Sequence, residues 1–341
     1  MRRSRRVFAC RRGSMPSERP SGGAQKRNFW ARSASCFSRK ATPMTIERAT
    51  LEVPPSLALG ATYSREVSVG IERIWENVLD WEHLPTLHEI FFDKVALIEI
   101  GSWGWRVELT KTPGTAGRRM VVELWIDRAN GRYCVRTLAG DGIGTEIWTL
   151  LEALGRQRTM IEVRFYLPEH RLDRLAALGE KYRSSHARLW DQDEAMMMRR
   201  EALSVRCRPD RKKSRASLAL GPLCELRQRL PLLVELDGEP FRILELDDGA
   251  LVAHTTICPH LLGPLEDAVP ENGKLRCPWH GYLFDVRTGA SADGRGYRLA
   301  PVPLVVVDRP TGQVTLNAGA LPARAARRAR HSFSEVAGAS T

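Results

Sequence analysis

Cys258-Pro259-His260 and Cys277-Pro278-Trp279-His280 set out C-x-H, sixteen intervening residues, then C-x-x-H. Two thiolates and two neutral imidazoles are metal ligands. A Cys₂His₂ set can hold one zinc ion. It can also hold two irons, with the thiolates on one and the imidazoles on the other, which raises the potential above that of an all-cysteine cluster. Zinc fingers usually keep their cysteines together and their histidines together. Here each half mixes one of each, which favours two loops clasping a two-iron cluster. Gly263 and Pro264 shape the first loop, and Gly281 shapes the second. A second group of candidate ligands lies far upstream: Glu76, Asp80, His83 and His88 read E-x3-D-x2-H-x4-H. Five residues apart, His83 and His88 would stand about 140° apart on a regular helix. Pro85 disfavours helix at Leu84, and a helix that breaks there can turn both imidazoles toward one point.

The elements around these residues divide the chain. Ala61 to Val69 reads as a strand. Ile71, Ile74, Trp75, Val78 and Leu79 then follow the i, i+3, i+4, i+7, i+8 stripe of a helix. Strands are expected at Phe92–Ile100, Trp103–Thr110, Arg119–Asp127, Arg132–Leu138, Gly144–Ala153 and Arg158–Leu167, and a long helix from about His170 to Leu203. The organisation expected is a basic leader over 1–43, an α+β domain over 59–205, a charged linker over 206–220, an all-β domain over 221–317 and a basic tail over 318–341. In the all-β part, Leu232–Leu236, Phe241–Leu246, Ala250–Thr256 and Val302–Val307 alternate with Asp-Gly turns.

The formal charge of +12 is concentrated in the leader, where residues 1–43 hold 12 Lys or Arg and one acid, Glu18. The rest of the chain is near neutral, so the charge marks a tail and no nucleic-acid partner is expected. The leader reads as disordered. Met44 is the favoured true start, with a transit peptide the alternative. Ser4-Arg5-Arg6-Val7-Phe8 looks like a twin-arginine signal but lacks an apolar stretch after it. No apolar run approaches the ~20 residues of a membrane span. Seven cysteines, sparse and odd in number, argue against a disulfide scaffold and suit a cytoplasmic, reducing setting.

The C-x-H…C-x-x-H pair and the Gly281-Tyr282-Leu283-Phe284-Asp285 continuation resemble the Rieske [2Fe–2S] proteins, of the ferredoxin and oxygenase branch. The respiratory branch adds a disulfide between the loops, and no spare cysteine lies there. That implies a low potential, toward ~ −150 mV. Residues 61–205 resemble the START-like (Bet v 1-type) helix-grip fold, which encloses an apolar ligand cavity and also serves as the catalytic domain of Rieske oxygenases. The fold class implied is α+β: a helix-grip domain, then an all-β Rieske domain.

That resemblance implies mononuclear Fe(II) held by two histidines and a carboxylate, with positions open for O₂ and substrate. His83 and His88 match the histidines. Trp190-Asp191-Gln192-Asp193-Glu194 resembles the aromatic-x-x-Asp pattern of the third ligand, which points to Asp193 first and Asp191 second. Asp80 then matches the acid that, in the resembling enzymes, bridges an iron histidine to a cluster histidine of a neighbouring subunit. Trp75, Asp80, Trp81, Glu82 and Pro85 read equally well as a helix-grip signature without metal. The implied function is a terminal oxygenase component that hydroxylates or demethylates a hydrophobic small molecule. A separate NAD(P)H-dependent reductase or ferredoxin would feed it, and a homo-oligomer is compatible. The rival readings are an electron carrier fused to a ligand-binding module and a metal-free cyclase using His83 or His88 as base. Two departures stand out: the Rieske segment comes last rather than first, and the catalytic domain is short.

Overall fold

The structure is a computed structural model that describes residues 52–112, 118–205 and 217–318. The leader, the linker core at 206–216 and nearly all of the tail lie outside the described residues.

The first domain begins with β1 (Ala58–Val67), α1 (Ile71–Leu79) and a single helical turn, α2 (Leu84–Leu87). There follow β2 (Phe92–Gly101), β3 (Gly104–Lys111), β4 (Arg119–Asp127), β5 (Arg132–Gly140), β6 (Glu146–Gly155), β7 (Arg158–Leu167) and α3 (Leu172–Val205). The strands form one seven-stranded sheet in the order β1-β7-β6-β5-β4-β3-β2, every neighbouring pair antiparallel. Bulges in β1, β2, β5 and β6 break its register and bend the sheet around α3. This is the helix-grip fold. The period-two pattern sets the inner face, where Thr159, Ile161, Val163, Phe165 and Leu167 of β7 are all buried. Trp190 and Met197 of α3 complete that core. Gly60 and Gly179 let α3 lie directly on β1, since a Cβ on Gly179 would fall 2.2 Å from the Gly60 carbonyl oxygen.

The helix break differs from expectation. α1 ends at Leu79, and Asp80 leaves helical geometry at φ −87°, ψ 86°. The carbonyl of Val78 is taken by the Trp105 indole N–H at 3.0 Å. Leu84 and Pro85 then begin α2, which is flanked by His83 and His88 as its cap positions. Proline in the first turn of a helix forfeits no hydrogen bond, so Pro85 starts a helix where the sequence suggested that it ends one.

The second domain contains β8 (Ser217–Pro222), α4 (Leu223–Gln228), β9 (Leu232–Leu236), β10 (Glu239–Glu245) and β11 (Leu251–Thr255). It continues with β12 (Lys274–Arg276), β13 (Leu283–Asp285), β14 (Leu304–Val307) and β15 (Gln313–Asn317). The sheets are β11-β10-β9, β14-β15-β8 and the hairpin β12-β13. β8 pairs with β15 from Ser217 onward, inside the span read as linker. The short helix α4 was not expected, and it buries Leu226 among Ile243, Val314 and Leu316. No described helix is long and apolar enough to cross a membrane.

The domains share a core. Met196 of α3 and Leu87 of α2 pack among Cys258, Leu265, Cys277, Trp279 and Phe284. Burying a side chain such as Met196 contributes roughly 1.5–3 kcal/mol.

Candidate metal centres

Two loops of the second domain bring Cys258, His260, Cys277 and His280 together. The first leaves β11 and turns through Leu261 and Leu262, both at positive φ (50° and 64°). It closes with the Cys258 N–H donating to the Gly263 carbonyl at 2.8 Å. The second joins β12 to β13 and closes with the Cys277 N–H donating to the Tyr282 carbonyl at 2.9 Å. Cys258 and Cys277 are both buried and free. Burial and the adjacent Cys277 raise the Cys258 thiol. The hydrogen bond from Cys258 lowers the Cys277 thiol to about 5 despite burial, helped by His280 and by the backbone amides of Trp279 and His280. These donors favour thiolate at the position where a metal would bind. Burial pushes His260 down to about 3, with His280 adding to it, so His260 is the neutral imidazole that ligation requires.

The unsatisfied atoms test the fit of a cluster. Nδ1 of His260 and Nδ1 of His280 are both buried without a partner. Buried polar groups are normally paired, and these two belong to the four expected ligands. A Cβ at Gly263 would fall 2.6 Å from the Cys277 sulfur, so the loop leaves room at that sulfur only as glycine. The residues fit a two-iron, two-sulfide cluster. Gly263→Ala is expected to lose most of the cluster, measured as inorganic sulfide per chain. Unchanged sulfide would show that the loop can yield.

The second set assembles around α2. His83, His88 and Asp193 place one ligand atom each within 4.8 Å of one another. His88 Nε2 lies 3.2 Å and His83 Nε2 3.5 Å from Asp193 Oδ1. That oxygen has no hydrogen-bond partner within normal geometry although it is buried. Burial would raise the Asp193 carboxyl, but His88, His83 and the Asn77 side chain hold it below its ordinary value. Burial would lower His88, but Asp193 and Gln192 raise it. The remaining ring nitrogen of His88 donates to Gln192 Oε1 at 2.9 Å, which fixes the ring and leaves Nε2 toward the shared point. The set fits one cation with open positions. Asp191, the alternative third ligand, instead pairs with Arg65 at 2.7 Å and is largely exposed. Glu76 turns away to Arg73 and Arg200.

Asp80 lies between the two sets. His280 Nε2 donates to its Oδ2 at 2.7 Å, and His83 Nδ1 stands 3.8 Å from the same oxygen. Burial would raise the Asp80 carboxyl; the two imidazoles hold it far below the ordinary carboxylate range. His280 is pushed up to about 9: burial opposes the shift, and Asp80 and then Cys277 drive it. The cluster histidine belongs to the same chain as Asp80, unlike the intersubunit arrangement that the resemblance implied.

Residues 217–302 match the Rieske [2Fe-2S] domain family. The C-terminal part of the chain is a Rieske [2Fe–2S] domain. The quartet above lies within the matched residues. Over 46 residues the chain is 44% identical to the oxygenase component of dicamba O-demethylase from Stenotrophomonas maltophilia, spanning 14% of each chain. It is 29% identical over 107 residues to the anthranilate 1,2-dioxygenase ferredoxin subunit of Burkholderia cepacia, covering 29% of this chain and 90% of that one. The Zhui aromatase/cyclase of Streptomyces sp. R1128 aligns with 42% of this chain and 96% of its own, at 15% identity and a TM-score of 0.36.

Gln192 and Asn77 support the His83–His88–Asp193 set, and neither spacing nor residue type marks them. Tyr282 stacks on His260 with ring centroids 4.1 Å apart. A cleft of about 450 Å³ opens beside α2, lined by Pro85, Glu89, Ile90, Phe92, Asp93 and Thr112. It mixes acids with apolar groups. On α3, His186 is pushed down to about 4 by burial, and its ring meets Phe165 edge-on at 4.9 Å.

Proposed function

We propose that this protein is the terminal oxygenase component of a Rieske-dependent system acting on a hydrophobic small molecule. The observation that carries the reading is the Asp80 carboxylate set between His280 of the Rieske quartet and His83 of the second ligand set. When loaded, the quartet would hold a [2Fe–2S] cluster supplying single electrons, and His83, His88 and Asp193 would hold Fe(II), where O₂ and substrate meet. The relatives that match the Rieske domain include an oxygenase component and a ferredoxin subunit, which supports an oxidoreductase role fed by a separate reductase.

The chain's own groups divide the work. Asp80 accepts the His280 N–H and so keeps the other ring nitrogen of that histidine toward the cysteines. Gln192 does the same for His88. The short turn α2 holds the two histidines at its ends.

The test is single-turnover reoxidation of the reduced cluster by O₂. Asp80→Asn keeps the side-chain volume and is expected to retain both metals while slowing reoxidation by ~10–100-fold, the usual effect of losing an outer-sphere partner. An unchanged rate would remove Asp80 from the path and leave an electron carrier as the better reading.

A further inference from the structure

The His280–Asp80 hydrogen bond joins positions 200 residues apart in one chain. It does not stand alone, because the contact surface around it is built on both sides. On one side Arg199 of α3 grips Glu266, just past the first cluster loop, through Nη1–Oε1 at 2.6 Å and Nη2–Oε2 at 2.9 Å. A two-bond arginine–carboxylate pair fixes orientation as well as distance. On the other side the Tyr282 hydroxyl donates to Glu82 Oε2 at 3.2 Å. The Arg295 guanidinium lies over the Tyr282 ring at 4.1 Å, reaches within 3.8 Å of Glu82 and donates to the His280 carbonyl at 3.3 Å.

Between the two clamps the surfaces interlock. Met196 and Leu87 of the first domain sit in the core around the cysteines. A Cβ at Gly281 would come within 3.1 Å of Thr86 Oγ1, so α2 packs closely on the second cluster loop. The ring centroids of His83 and His280 are 6.2 Å apart.

We infer that a single chain contains the whole cluster-to-iron electron path, and that Arg199–Glu266 and Glu82–Tyr282–Arg295 are the positioning clamps that hold it in register. The inference rests on the functional reading above for the identity of the metals. It goes beyond it in placing both ends of the path in one copy of the chain and in assigning the residues that align them. When both sites are loaded, the quartet would hold the one-electron donor and His83, His88 and Asp193 the acceptor, with O₂ as the terminal oxidant. Asp80 makes and breaks no covalent bond. Electron transfer falls steeply with separation, so a clamp that lets the domains slide should slow the step without emptying either site.

The experiment uses the full-length chain with the cluster reduced and Co(II) supplied for the mononuclear site. A fast-relaxing Co(II) ion shortens the spin relaxation of a nearby reduced cluster, a readout independent of turnover. Relaxation enhancement is expected at every dilution, including samples that sediment as monomer. A Cys258→Ser chain, which keeps the Co(II) site, is co-expressed with an Asp193→Ala chain, which keeps the cluster. The mixture is expected to show neither relaxation enhancement nor recovered reoxidation by O₂. Arg199→Glu is expected to keep both metals, weaken the enhancement and slow reoxidation at least 10-fold, with recovery in Arg199→Glu/Glu266→Arg. Glu266→Gln gives the milder form if the reversal fails to fold. Enhancement or reoxidation restored in the mixture would place the path between chains and overturn the inference. Wild-type relaxation in both Arg199→Glu and Glu266→Gln would remove that pair as a clamp. Failure of the wild type to bind Co(II) at all is a separate result, which would take away the oxygenase reading itself and the path with it.

Discussion

Iron per chain is expected to fall from about three to about two in each of His83→Ala, His88→Ala and Asp193→Ala, with the Rieske EPR signal retained. A three-ligand site keeps no spare protein ligand, because its open positions serve O₂ and substrate. Removing any one should therefore release the ion rather than weaken its binding slightly. The three changes are not equivalent in the protein itself. Asp193 is a buried carboxylate whose Oδ1 faces two imidazoles, and removing one partner of a buried charged pair costs about 3–5 kcal/mol. His88→Ala leaves that charge with His83 at 3.5 Å and the Asn77 side chain, and it also strands Gln192. Asp193→Ala removes the charge and leaves two imidazoles that are stable as neutral groups. His88→Ala should therefore lower thermal stability more than Asp193→Ala, while iron loss is the same. Asp193→Asn, which keeps the volume, separates packing from ligation: it should lose iron with little change in melting temperature. Two irons per chain in the wild type, unchanged by all three substitutions, would defeat the oxygenase reading in favour of a carrier.

Much of this arrangement was legible in the residues. Mixed Cys/His halves on two loops, unlike the grouped cysteines and histidines of zinc fingers, pointed to the Rieske domain that residues 217–302 match. Alternation placed β4 and β7 at their observed ends, Arg119–Asp127 and Arg158–Leu167. The heptad-like stripe placed α1 at Ile71–Leu79. The failures have physical causes. β8 was hidden in the linker because Ser217–Pro222 is too short and mixed to alternate, and it is a strand only because β15 pairs with it. The hairpin strands β12 and β13 have three residues each, below any periodicity. The helix break was expected near Leu84 on the strength of Pro85, yet the chain leaves the helix at Asp80. The Asp80 carboxylate there meets His280, a contact across 200 residues. No local pattern reports such a contact. The resemblance placed its counterpart on a neighbouring subunit. In this chain the Rieske domain follows α3, and its His280 meets Asp80 of the α1–α2 corner of the same chain.

Loss of the cluster should be the largest single effect, and it should follow from either half of the quartet. Cys258→Ser and His280→Ala are each expected to abolish the reduced Rieske EPR signal and the two inorganic sulfides per chain. Serine in place of Cys258 offers a hydroxyl of far higher pKa than the thiol, so the first loop would present no anionic ligand. His280→Ala removes the imidazole whose Nδ1 is buried without a partner, and it removes the donor to Asp80 as well. The second variant therefore damages two things at once, and comparing the two separates them. Cluster binding is coupled to folding, since ligands brought together only in the native state stabilise it. Both variants should melt at lower temperature than the wild type, and His280→Ala should melt lower still, because Asp80 stays buried with only His83 at 3.8 Å. Iron at the His83–His88–Asp193 site should survive Cys258→Ser, giving about one iron and no sulfide per chain. A zinc site built on the same four residues would give the opposite record: zinc in the wild type, no labile sulfide and no EPR signal to lose. Retention of the signal in both variants would mean that other residues hold the cluster, and the loop geometry of Cys258–Gly263 and Cys277–Gly281 would then need another explanation.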